Sequence, residues 1–202
     1  MPLYSYLLHM QPDARFTLRE IVASLARSAD PDREICALLN GLDWREHLVG
    51  ALASILGRRQ SSAVITAHWN AFDEGSWVSP QLAVVLSLID PSFAQQSRDR
   101  IECRCLGVPD RTHSVSMLLR TVVSGPAGGY HRACKALSAL CVVSKRFPEL
   151  RQWLKEQKQQ PDVQRMLSDD PDSGGMIAFY WQEACIQLCQ ECVRDSRQTL
   201  IN

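Results

Sequence analysis

Apolar residues recur along the chain at intervals of three and four, the spacing that gathers side chains on one face of an α-helix. Trp44, Leu48, Leu52 and Ile55 form one such stripe, Ile65, Trp69 and Phe72 a second, and Leu82, Val85, Leu86 and Ile89 a third. Further on, Val115, Leu118, Leu119 and Val122 repeat the pattern, as do Tyr130, Ala133, Cys134, Leu137, Leu140 and Cys141, and finally Trp181, Cys185, Leu188 and Cys192. No segment alternates with the period of two that marks a half-buried strand.

Helix starts punctuate these stripes. A short polar side chain that accepts a backbone N–H, followed by proline or an acid in the first turn, marks a helix N-terminus. Thr17 with Glu20 and Asp43 with Glu46 have capping-box spacing, while Asp30-Pro31, Ser79-Pro80 and Asp90-Pro91 set a capping residue before proline. Pro148 with Glu149 opens another helix. Gly57 and Gly75 stand where helix C-termini use a left-handed residue, Ser124 to Gly129 reads as a turn, and Asp169 to Gly175 reads as a loop. The connections are short, so consecutive helices are expected to be antiparallel neighbours. The expected architecture is all-α, a single domain over residues 1–202 of stacked antiparallel helix pairs, an irregular solenoid or bundle.

Proline at helix starts, paired short helices and a Trp-Arg dipeptide just inside a capped helix characterise the stretch from Asp30-Pro31 through Asp43-Trp44-Arg45-Glu46 to Leu52. In these features residues 16–107 resemble HEAT-type helical repeats, and the second half departs from that pattern, lacking a recurrence of Asp-Trp-Arg. The resemblance implies a ridged surface that holds another macromolecule.

Composition narrows the chemistry. The 22 basic and 22 acidic side chains cancel, leaving no global field for nucleic acid or anionic membranes. All four lysines lie between Lys135 and Lys158. These four, Lys135, Lys145, Lys155 and Lys158, make with Arg132, Arg146 and Arg151 a mildly basic strip that is expected to be the wet face of a helix and is the sole support for a nucleic-acid-binding alternative. Eight cysteines without a leader-like N-terminus, and no apolar run near ~18 residues, point to reduced thiols in a cytoplasmic protein without a membrane span.

Candidate chemistry is sparse. Cys185, Cys189 and Cys192 share one face of the last helix, either as core or as metal ligands, with core packing favoured because that face also carries Trp181 and Leu188. Cys103 and Cys105 are spaced to point apart. His131 and Cys134 stand three apart and could form a thiolate–imidazole pair, and Asp73-Glu74 a carboxylate pair, but neither spacing is specific. No cofactor or metal motif is present, and no enzyme is expected, an enzyme of unrecognised type using one of these pairs being a further alternative. The densest cluster of aromatic and acidic residues runs from Trp69 to Gln81, with Trp69 and Phe72 expected in the core and Asp73, Glu74 and Trp77 as the partner-binding edge. The expected function is a protein-binding helical module, in its most concrete form an immunity-type inhibitor of a cognate bacterial toxin.

Overall fold

The computed structural model describes residues 7–8, 14–103, 130–170 and 173–199, with side chains along the last helix as far as Gln187. The described residues are helical and contain no strand. The helices are α1 (Ala14–Arg27), α2 (Pro31–Leu39), α3 (Trp44–Leu56), α4 (Ser62–Asp73), α5 (Ser79–Ile89), α6 (Phe93–Cys103), α7 (residues 130–143), α8 (Pro148–Gln157), α9 (Pro161–Ser168) and α10 (Gly174–Thr199). A single 3₁₀ turn, Ser144–Arg146, joins α7 to α8. The stripe from Val115 to Val122, the turn from Ser124 to Gly129 and Cys105 lie outside the described residues.

Local chemistry explains the helix starts. The Asp30 carboxylate accepts the Arg33 N–H with Pro31 following, and Asp43 with Glu46 closes a full capping box. Three starts differ from expectation. Thr17 lies inside α1, its hydroxyl buried without a hydrogen-bond partner, because the apolar series Ala14, Leu18 and Ile21 already runs as helix from residue 14. Ser79 is the first residue of α5 rather than its cap, and Asp90 precedes a turn, so that α6 begins at Phe93. At the C-termini Gly75 is left-handed with φ 74°, whereas Gly57 is right-handed and Arg58 takes the positive φ of 50°.

Packing follows two rows. α2 lies against α4, while α1, α3 and α5 succeed one another, and α10 closes the second row against α5. The pairs α2–α3 and α4–α5 bridge the rows; with only short connections between partners, each pair runs antiparallel. α5 occupies the centre: Ser79 through Leu86 and Ile89 are buried, and its sequence carries no charge. A helix apolar all round has to be enclosed on several sides, and here α3, α4, α6 and α10 enclose it. One hydrophobic cluster runs from Leu7 to Cys185 and includes Phe72, Phe93, Leu137 and Trp181. Each such large side chain contributes about 1.5–3 kcal/mol on leaving water. Trp181 also donates its indole N–H to the Leu7 carbonyl at 3.4 Å, tying the start of the described chain to α10.

The core contains a neutral histidine. His68 on α4 is fully enclosed, its Nδ1 donating to the Val64 carbonyl at 2.9 Å and its Nε2 without a partner. Burial, opposed by the Val64 hydrogen bond and aided by nearby His47, pushes its pKa down to about 4. An unfolded histidine titrates near ~6.5. Because the folded value is the lower one, the fold gains this stability above the unfolded pKa and loses it as pH falls from about 6.5 to about 4. Urea unfolding at pH 7 and at pH 4 is expected to show a loss on the order of 3 kcal/mol from this residue. Equal loss in a His68→Leu variant would assign the acid sensitivity to other groups.

Candidate functional site

The segment singled out by its aromatic and acidic content is the exit from α4. Its backbone is closed by hydrogen bonds from Glu74 to the Asn70 carbonyl, Gly75 to Phe72 and Ser76 to Ala71. Left-handed Gly75 turns the chain sharply there, a conformation that costs other residues about 1–2 kcal/mol. Ser76 and Val78 point inward and are buried, which throws Trp77 between them outward at 47% exposure.

The three expected edge residues have different fates. Asp73, the last residue of α4, receives two 2.7 Å hydrogen bonds from Arg100 of α6. That guanidinium lies 3.8 Å from the centre of the Trp69 ring, and the Trp69 indole N–H in turn donates to Asp90 at 2.8 Å. Trp69 stacks on Phe93 and meets Phe72 edge-on. Asp73 therefore belongs to a strut linking α4, α5 and α6. Trp69 and Phe72 are buried as expected, and Glu74 is exposed.

Trp77 leads to the other predicted group. The Lys135 ammonium of α7 lies 4.2 Å from the Trp77 ring centre, and Arg132 donates to the Gly75 carbonyl at 3.3 Å. Lys135 is only 3% exposed, so the expectation of a solvated face fails at this residue: its stem is covered and its charge sits under an aromatic ring. The basic strip is divided. Arg132 and Lys135 join the 74–78 connection, whereas Lys145 and Arg146 are exposed on the 3₁₀ turn, Arg151 and Lys155 are exposed on α8, and Lys158 caps the end of α8.

Sequence reasoning missed the third contributor, the start of α10. Gly174 is packed on the backbone of α7, so that a Cβ there would come within 2.4 Å of the Lys135 carbonyl oxygen. The Gly175 N–H donates to Ser138 at 3.1 Å, and Asp170 caps the helix through the Gly174 N–H at 2.7 Å. Beyond these glycines Met176, Phe179 and Tyr180 are at least half exposed, with the last two rings in edge contact. Their i, i+3, i+4 spacing, opposite the buried Ala178, Trp181 and Cys185, was the available signal. Tyr130 at the start of α7 is also exposed and donates its hydroxyl to Asp169 at 2.9 Å. That bond, first among the causes, raises its pKa to about 12.

Reactive chemistry finds little support in this geometry. Cys134 is buried and burial pushes its thiol pKa up, the opposite of an activated nucleophile, while His131 is exposed with its ring tilted toward Tyr130. Burial likewise raises Cys141 to about 11. Cys185 is in the core, Cys103 ends α6, and the side chains of Cys189 and Cys192 lie outside those described. Among the described residues no group of three His, Cys, Asp or Glu side chains is placed to hold a metal ion, and no helix is long and apolar enough to cross a membrane. What the surface offers is a set of aromatic faces, one backed by a cation, on a rigid helical frame.

No protein-family model, curated protein or solved structure matches the chain.

The α7–α10 contact has a direct test. Gly174→Ala must push two backbones apart and is expected to destabilise the protein by about 1–3 kcal/mol in chemical denaturation. A neutral result would mean that α10 does not seat against Lys135 as described.

Proposed function

We propose that the chain is a protein-binding helical module whose docking surface is formed by Trp77 together with Met176, Phe179 and Tyr180. The observation that carries this reading is the exposure of these large apolar side chains beside one another's supports: Trp77 rests on Lys135, and Lys135 in turn seats the start of α10. Aromatic side chains held rigidly lose little entropy on binding and bury large areas, which suits them to anchor a partner. Glu74 and Tyr130 supply polar groups at the margin. Asp73 contributes indirectly, by fixing the end of α4 through Arg100.

In its most specific form the module is an immunity-type inhibitor that occludes a cognate bacterial toxin. The small, electrically neutral helical stack supports that version. The division of the basic residues between two places weakens the nucleic-acid reading, since neither group forms a long cationic track for a phosphate backbone.

Affinity capture from the native lysate, with nuclease treatment and mass spectrometry, tests the module. A stoichiometric protein partner is expected to survive nuclease and to be lost, by tenfold or more in affinity, on Trp77→Ala or on the double change Phe179→Ser, Tyr180→Ser, with thermal stability kept. Asp73→Asn is expected to lower stability more than affinity. Retention of the partner by both surface variants removes this surface from the reading, and co-expression of the partner with and without the chain decides whether it is a neutralised toxin.

A further inference from the structure

His47 on α3 joins two separate turns. Its Nε2 lies 2.9 Å from the Gly41 carbonyl oxygen, which can only accept, so Nε2 carries the proton. Its Nδ1, 2.7 Å from the Ser76 hydroxyl, is then the bare nitrogen and accepts from that hydroxyl. The Ser76 oxygen in turn accepts the Val78 N–H at 3.3 Å. Only 1% of His47 and 4% of Ser76 is exposed, so solvent does not substitute for these bonds. On α4, enclosed His68 turns an unpartnered Nε2 into the core, and the two rings act on each other electrostatically.

A proton on His47 reverses its hydrogen bond to Ser76. Nδ1 would become a donor facing a hydroxyl that now donates to it, and the hydroxyl hydrogen would need another acceptor inside a buried turn. The resulting imidazolium would lie in the core beside a second ring whose own free nitrogen has no acceptor. The Asp43 carboxylate at the start of α3 acts on the His47 ring electrostatically and favours its proton, but that carboxylate is exposed and paired with Arg45. α5 carries no charge; on α2, Asp32 pairs with Arg59 while Arg33 and Glu34 are exposed; on α3, Glu46 is exposed in its capping box; on α4, Asp73 pairs with Arg100; on the connection Glu74 is exposed, and from α7 Arg132 bonds the Gly75 carbonyl while Lys135 lies against the Trp77 ring.

We propose that His47 is an acid-operated latch on the 74–78 connection: neutral, it holds Ser76 and so presents Trp77, and on taking up a proton it lets the connection go. The Asp73–Arg100 strut holds the end of α4 just upstream, which confines the release to the connection. As regulation of docking the latch rests on the protein-binding reading; as a structural device it does not.

Hydrogen exchange on the free full-length protein at pH 7 and pH 5, corrected for intrinsic rates, tests it without any partner. The amides of Glu74, Gly75, Ser76, Val78 and Ser79 are all hydrogen-bonded and report the latch directly. The reference imidazole pKa of ~6.5, taken for the unlatched ring, sets the upper limit of the effect, a rise of about 20-fold in their exchange at pH 5, while α8 amides stay unchanged. His47→Gln, which does not titrate, should abolish the difference; if that variant fails to fold, the wild-type comparison still decides. Equal protection of residues 74–79 at both pH values, or acceleration shared by every helix, overturns the latch. Loss of partner capture with the exchange result intact would instead count against the docking surface alone.

Discussion

An uncharged helix with hardly any exposed side places the strongest constraint on this molecule. α5 has to be surrounded, and its surroundings assign positions to the helices on either side in sequence and to one far away. α3 and α4 arrive from upstream, α6 follows directly, and α10 returns from the far end of the chain to cover what remains. Even Ser79, Pro80 and Gln81 at its start are buried. The Ser79 N–H is satisfied from outside the helix by the Ser76 carbonyl and Pro80 has no N–H to satisfy, while the side-chain hydroxyl of Ser79 is left without a partner.

Around that helix the polar side chains act as fasteners between elements. The series Asp90, Trp69, Arg100 and Asp73 alternates acid, ring, cation and acid across three helices, each group orienting the next. Arg98 over Trp153 makes a comparable contact between α6 and α8, and Lys135 over Trp77 another between α7 and the exit of α4. Pairing a cation with an aromatic face sets the charge against the ring's electron-rich surface while covering apolar area.

Helix periods and caps were readable because each depends on residues close in sequence. Asp43 and Glu46 needed only each other, and the burial of Leu48, Leu52, Trp69 and Phe72 followed from spacing alone. The misreadings share a physical cause, namely a distant element overriding a local preference. Thr17 looked like a cap until the apolar residues before it were recruited to the core, and Lys135 looked solvent-facing until Trp77 and Gly174 closed over it. Asp73 gave no local sign of Arg100, which stands 27 positions later. The exposed residues of α10 were legible as a second apolar face on the same helix, but spacing does not tell which of two faces is buried.

The dependence of α5 on α10 also has a consequence during synthesis. Gly174 leaves the ribosome more than eighty residues after Ile89, so the central helix is made long before the wall that covers it. At about 5–20 residues per second the interval is roughly 4–17 s, during which an uncharged, largely apolar helix lacks part of its enclosure. The nascent chain therefore passes through a stage in which its stickiest segment depends on provisional cover, either from its own later helices or from a chaperone, and the order of translation becomes part of what the sequence has to survive.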